Sequence, residues 1–148
     1  MKPSVYSLND FEGIVRKNKF DVKQILSEIM GENSLPLVYE TKNTCDISYA
    51  GMMLLAKQKG IWVKVVLVDK RSERFVSLAK AMNPKTKVTQ FGAASYPITV
   101  RFSDEVIRHI VGRLALRNAI EKVIPRQEVL AFIYKARLSN NDTYQSAH

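Results

Sequence analysis

The sequence predicts one α/β domain of three layers, in which helices cover both faces of a small and mostly parallel sheet. The first observation is the run from Gly60 to Asp69, which is rich in β-branched residues and apolar on both of its faces. The second is that helix-like periodicity flanks this run on both sides. The third is size, because 148 residues that are 46% hydrophobic suit one globular core. The run is therefore predicted to be the central strand of the sheet.

Two helices are predicted ahead of the sheet. The first begins at Ser7, whose hydroxyl can cap the backbone N–H groups of the first turn. The second begins with a cap at Asp21 and ends at Gly31, which supplies a left-handed stop. Its apolar stripe has helical spacing and consists of Val22, Ile25, Leu26 and Ile29. Both helices are interpreted as packing elements.

Residues from about 35 to 91 are predicted to alternate as strand, helix, strand, helix and strand. A short strand spans residues 35–41. A helix follows from Thr44 or Asp46 to Lys59, and the glycine at position 60 ends it. The central strand comes next along the chain.

A second helix and a third strand complete this unit. The helix is predicted from Ser72 to Asn83 on the helical spacing of its apolar residues, which are Phe75, Leu78, Ala79 and Met82. The third strand runs from Lys87 to Phe91. Short right-handed crossovers would make the three strands parallel.

The C-terminal part is predicted to hold one more strand and a long helix. Residues 96–102 alternate between apolar and polar side chains, as expected of an antiparallel strand at a sheet edge. The helix spans residues 103–124 and has two apolar stripes whose starts lie nine residues apart, so they face opposite sides of a straight helix. The second stripe consists of Leu116, Ala119, Ile120 and Val123.

The second stripe needs a cover, because exposed aliphatic side chains would forgo their burial energy. Segment 126–138 can supply it by folding back, and so can the same helix of a second subunit. The segment itself fits a helix slightly better than a strand. Residues 1–138 are predicted to form the single domain, and residues 139–148 a polar tail.

Basic residues concentrate in one βα unit. The chain has a net charge of +9, and residues 57–87 contain nine basic side chains but only two acidic ones. Such a surface favours a polyanion, so the sequence predicts a nucleic-acid-binding protein that contacts phosphates here. Both DNA and RNA fit. The residues predicted to make these contacts are Lys57, Lys59, Lys70, Arg71, Arg74, Lys85 and Lys87.

A metal-dependent nuclease is the enzymatic alternative. Glu40, Lys42 and Asp69 lie at the ends of predicted neighbouring strands, where two carboxylates could hold Mg²⁺ and a lysine could stabilise phosphate charge. The match is partial, because each short motif lacks its usual second carboxylate. Apart from Mg²⁺ in this alternative, no cofactor is expected.

The second alternative is a protein-interaction module or homodimer that uses Leu116, Ile120 and Val123 on the 116–124 face of the long helix. Other classes are disfavoured by composition. Two histidines and one cysteine give no cysteine metal cage, intrachain disulfide or credible catalytic triad. No apolar run approaches the roughly 20 residues of a membrane span, and the polar start predicts no signal peptide. A cytoplasmic protein without a membrane partner is therefore expected.

Overall fold

The computed structural model describes residues 8–32, 34–40 and 44–147, and within these ranges the side chains of residues 18–139. The described chain forms four helices and five strands in a mixed order. Their bounds are α1 (Leu8–Ile29), β1 (Val38–Glu40), β2 (Cys45–Ile47), α2 (Tyr49–Gln58), β3 (Trp62–Arg71), β4 (Arg74–Met82), β5 (Thr89–Pro97), α3 (Asp104–Val123) and α4 (Arg126–Ala147).

The prediction of a mostly parallel sheet is wrong. Strands β3, β4 and β5 form an antiparallel sheet in that order, and β1 and β2 form a separate antiparallel pair. The fold is thus α/β with two small antiparallel sheets and four helices in the described chain.

The segment predicted as a helix from Ser72 to Asn83 contains strand β4. Arg71 pairs with Arg74, so a two-residue loop connects β3 and β4 as a hairpin. Alternate residues of β4 are buried, namely Phe75, Ser77, Ala79 and Ala81. Because the intervening positions also include apolar residues, four apolar side chains happen to fall at helical spacing.

β3 lies at an edge of its sheet, whereas the sequence predicted a central strand. A bulge between Val65 and Leu67 shifts its pairing with β4. Val65 and Val68 therefore both lie opposite buried residues of β4, although simple alternation would put them on different faces. Strict alternation along the run therefore assigns residues to the wrong face beyond this bulge.

β5 takes in parts of two segments that were predicted as separate strands, 87–91 and 96–102. The small residues between them belong to the strand, and two of them, Gly92 and Ala94, lie on the side that faces α3. A Cβ atom at Gly92 would collide with the backbone of Ala119, so the helix approaches the sheet closely at this glycine.

The two predicted N-terminal helices are one helix, α1, in the described residues; the predicted cap Ser7 lies outside them. Asp21 does not begin a helix. Its carboxylate instead accepts a hydrogen bond from the backbone N–H of Tyr49 at 2.7 Å, at the start of α2. The predicted left-handed stop at Gly31 is confirmed, with φ of 90°.

α2 begins later than predicted, because residues 45–47 pair with β1 as a strand. Ser48 is its N-cap, and the Ser48 hydroxyl accepts a hydrogen bond from the N–H of Gly51 at 3.1 Å. The predicted end of this helix is confirmed, since Gly60 follows it with φ of 67°.

The long C-terminal helix α3 matches its prediction, and Ser103 caps its first turn. Its first stripe packs on the sheet and on α1. Its second stripe forms a cluster with Val129, Ile133 and Ala136 of α4, so the chain itself covers that stripe. The interpretation of residues 126–138 as helical is confirmed. Of the helices in the described residues, none is long and apolar enough to cross a membrane.

Candidate nucleic-acid interface

Within residues 8–32, 34–40 and 44–147, no helix covers one side of sheet β3–β4–β5. Helix α3 packs on all three strands from one side, which we call the inner face, and we call the opposite side the outer face. On the outer face, Trp62, Leu67 and Phe91 keep 48%, 49% and 47% of their surface exposed. A sheet covered on one side usually turns polar residues to solvent. Large apolar side chains on an open face are instead typical of a binding surface.

The strand register places cations beside these apolar side chains. Lys64 lies opposite Lys80, and Lys80 lies opposite Phe91 on the other side. The Lys80 ammonium is also 5.9 Å from the centroid of the Trp62 ring. Like charges directly opposite each other destabilise a sheet, by about 0.2–1 kcal/mol on the scale of cross-strand pairs. An anion bound between Lys64 and Lys80 would remove this repulsion.

Other basic side chains of the outer face are partly neutralised. Arg71 and Arg74 lie opposite each other beside the hairpin loop. Arg71 Nε donates to the Asp69 carboxylate at 2.8 Å, whereas Arg74 Nη2 donates only to the Ser95 hydroxyl, at 3.0 Å. Within the described part of the chain, Lys64 and Lys80 form no ion pair.

The seven predicted phosphate-binding residues form two groups and not one patch. The first group lies where β3 begins and β4 ends, and comprises Lys57, Lys59, Lys85 and Lys87. The second lies at the β3–β4 hairpin, and comprises Lys70, Arg71 and Arg74. The length of β4, about 30 Å for nine residues, separates them. Lys59 pairs with Glu128 at 2.9 Å and Lys70 with Asp104 at 2.8 Å, which reduces their free charge.

Sequence reasoning missed the residues between these groups. Trp62 and Lys64 belong to a run that was predicted as a central strand with helices on both faces, and neither received a functional assignment. Lys80 and Phe91 carried no functional assignment. The available signal was the period-2 alternation of β4, which places Lys80 on the same face as Val76 and Leu78.

The structure separates two of the predicted nuclease residues, and the third, Lys42, lies outside the described residues. Glu40 lies in β1 and pairs with Arg137 at 2.9 Å, whereas Asp69 lies in β3 of the other sheet and pairs with Arg71. In the ranges that the structure describes, no group of three or more His, Cys, Asp or Glu residues could hold a metal ion. Each carboxylate thus has an arginine partner of its own.

The cysteine opposite Glu40 is not an activated nucleophile. Cys45 pairs with Glu40 across β1 and β2. Burial, and then the nearby Glu40 carboxylate, raise the pKa of the Cys45 thiol. A higher pKa lowers the thiolate fraction at neutral pH, and the thiolate is the reactive form.

The residues predicted to bind a partner are buried. Leu116, Ile120 and Val123 are exposed by 5%, 0% and 5%, and they pack against α4. Arg117 on the same helix is also buried, and its guanidinium pairs with Asp21 at 3.0 Å and Glu121 at 2.6 Å. These side chains stabilise the junction of α1, α3 and α4.

No protein-family model matches the chain, and no curated protein matches its sequence. Function is therefore inferred from the side chains of the outer face.

Proposed function

We propose that the protein binds single-stranded nucleic acid on the outer face of sheet β3–β4–β5. The observation that carries this proposal is that the exposed rings of Trp62 and Phe91 share one face with the ammonium groups of Lys64 and Lys80, which form no ion pair with described residues. Aromatic rings stack on unpaired bases, and lysines bind the phosphates between them. The face thus carries both kinds of group that single-strand binding needs.

The two rings lie on different strands, with β4 between them. Adjacent strands are about 4.8 Å apart, so Trp62 and Phe91 are separated by roughly 10 Å across the sheet. Lys80 belongs to β4 and lies between the two strands that carry the rings. A nucleic-acid strand that crosses the three β-strands would meet a ring, a cation and a second ring in turn.

The apolar character of this face favours a single strand over a duplex. A duplex presents mainly phosphates, and its bases are reached by an element that enters a groove. The exposed rings of the outer face would gain little from phosphates, whereas unpaired bases offer a π-face to each ring. Stacking would bury both rings and remove the apolar surface from water.

Charges at the end of the sheet extend the proposed path. Lys85 and Lys87 lie in the connection between β4 and β5, beyond the Trp62 end of the outer face, and form no ion pair with described residues. They would attract phosphates that follow the stacked bases. Contacts of this kind strengthen binding to any sequence and weaken as salt rises.

The test compares two double variants of equal charge. We expect Lys64→Glu/Lys80→Glu to weaken binding of a labelled single-stranded oligonucleotide, measured by fluorescence anisotropy at several salt concentrations. The slope of log affinity against log salt should fall by about 0.7 for each lost phosphate contact. Lys23→Glu/Lys135→Glu is the matched control, because both lysines are exposed and lie on α1 and α4, away from the outer face.

The control should bind nearly as the wild type does, and the wild type should prefer the single strand to a duplex of equal length. An equal loss of affinity in both double variants would mean that only net charge matters, and would contradict binding at the outer face. A wild-type protein that binds no single strand even at low salt would end the proposal.

A further inference from the structure

The two edges of sheet β3–β4–β5 differ. On β5, Asn118 Nδ2 donates to the Ala93 carbonyl at 2.9 Å and Lys122 Nζ donates to the Phe91 carbonyl at 2.8 Å. Side chains of α3 thus occupy backbone oxygens of this edge strand. Among the described residues, no side chain forms a hydrogen bond with the backbone of β3. β3 therefore offers a ten-residue edge to another strand.

The middle of this open edge is apolar. Val65, Val66 and Leu67 follow one another and are exposed by 36%, 47% and 49%. Natural edge strands are protected by charges, prolines, bulges or covering elements. β3 has the bulge between Val65 and Leu67 at this point, but these residues carry no charge and are not proline. The three apolar side chains stay exposed beside the bulge, and an added strand would cover them.

We propose that β3 pairs with β3 of a second copy of this chain, antiparallel and about a two-fold axis at the bulge. Because of the bulge, residues at equal distances before and after the midpoint between Val66 and Leu67 lie on the same face of the sheet. Val65 and Val68 on either side of it both face inward, and Lys64 and Asp69, one step farther out, both face outward. A strand with this symmetry keeps its faces matched when it pairs with itself.

The side chains of β3 are complementary in this register. Lys64 lies opposite Asp69 of the second copy, so opposite charges meet across the new pair. Trp62 lies opposite Arg71 of the second copy, where a guanidinium can pack on the indole. Val65 lies opposite Val68 of the second copy on the inner face. An unrelated segment would have to supply all three matches, which favours a second copy as the occupant.

The inner side of the same edge has room for the second copy. A groove of about 350 Å³ lies between β3 and α3, with Val65, Val68 and Gly112 among its lining residues. A methyl group at Gly112 would meet only Val65 and Val68, at 3.7–3.9 Å, which is ordinary contact. The fold of one chain thus does not require glycine here, although glycine destabilises a helix interior relative to alanine.

The place of Gly112 agrees with the proposed axis. It lies beside Val65 and Val68, the two residues that flank the axis on the inner face. Gly112 thus leaves the groove open beside these two valines.

This inference is independent of nucleic-acid binding, and it has a consequence for it. The residues Trp62 and Lys64 of both copies would lie on the same side of one six-stranded sheet. Asp69 and Arg71 of the second copy would engage Lys64 and Trp62 there, so dimerisation and single-strand binding would compete for these two side chains.

Charge exchange tests the register without nucleic acid. Lys64→Asp and Asp69→Lys should each raise the dimer dissociation constant by about tenfold or more, because each places like charges opposite each other in both symmetric pairs. An equimolar mixture of the two variants should dimerise again, since every pair in the mixed dimer joins opposite charges. Sedimentation equilibrium measures the dimer dissociation constant of each variant and of their mixture. Glu73→Lys is the control: it lies in the hairpin loop and should dimerise as the wild type does.

A cross-link provides a second measurement that does not depend on these charges. In a Cys45→Ser background, Val66→Cys should form a disulfide-linked dimer on mild oxidation, and Glu73→Cys should not. A wild type that stays monomeric at high concentration, assemblies of more than two copies, or a mixture that fails to dimerise would overturn the proposal. Equal cross-linking at both positions would also overturn it.

Discussion

The inner and outer faces of sheet β3–β4–β5 are built by alternate residues of the same strands. They differ in how much apolar surface they leave exposed and in how well their polar and charged groups are paired. On the inner face, Phe75 is fully buried, and the hydroxyl of Ser77 donates to the carbonyl of Val111 at 2.6 Å. On the outer face, Trp62 stays half exposed, and Lys64 lies opposite Lys80 without an anionic partner among the described residues.

Since both faces share one backbone, the strands do not explain the contrast. The inner face meets the needs of folding, because it buries apolar surface and pairs its polar groups. The outer face keeps exposed rings and opposed like charges, which folding alone disfavours. We infer that its side chains serve a ligand, and the contrast between the faces can be tested residue by residue.

The largest expected effect comes from Phe75 on the inner face. Phe75→Ala should lower the free energy of unfolding by about 3–5 kcal/mol, because it leaves a cavity between β4 and α3. Chemical denaturation followed by circular dichroism measures this change. A loss below about 1 kcal/mol would show that the inner face is not the core of the sheet.

Phe91 is also a phenylalanine but lies on the outer face, so its replacement should affect binding more than stability. Phe91→Ala should change the free energy of unfolding by about 1 kcal/mol or less, since Phe91 is already 47% exposed. It should weaken binding of a single strand by about 1–3 kcal/mol, the usual contribution of one stacked base. If Phe91→Ala destabilised the protein as much as Phe75→Ala, the two faces would not differ as described.

The smallest expected effect separates folding from binding at a single position. Lys64→Glu should raise the free energy of unfolding by about 0.2–1 kcal/mol, because it places opposite charges across from each other at Lys80. The same change should weaken binding of the single strand. Both measurements are made at a protein concentration low enough to keep the chain monomeric. A variant that is less stable and binds normally would contradict the role of this pair.

Elements with strong local signals were predictable from the sequence. The serine at position 103 and the glycines at positions 31 and 60 act through a cap or a left-handed backbone that a few neighbouring residues determine. The pattern of α3 also indicated that its second stripe needs a cover, and α4 supplies it.

The sheet was not predictable in this way, because long-range pairing decides it. Residues 75–82 satisfy helical spacing and strand alternation about equally, and the pairing of β4 with two neighbours selects the strand. The bulge between Val65 and Leu67 has no local signature, so the faces of β3 could not be assigned.

The candidate site was predictable only in part for the same reason. Counting charges identified the basic region, but its residues are spread over both ends of the sheet. The outer face depends on which side of the sheet is left uncovered, and that follows from the antiparallel topology. A parallel arrangement with helices on both sides would have buried Trp62.

The emission of Trp62 tests most directly whether bases stack on the outer face. Trp62 is the only tryptophan in the chain, so its fluorescence reports on this face alone. An unlabelled single-stranded oligonucleotide, added at low salt, should quench the emission and saturate at the concentration that anisotropy gives for binding. Saturated binding that leaves the emission of Trp62 unchanged would contradict the account.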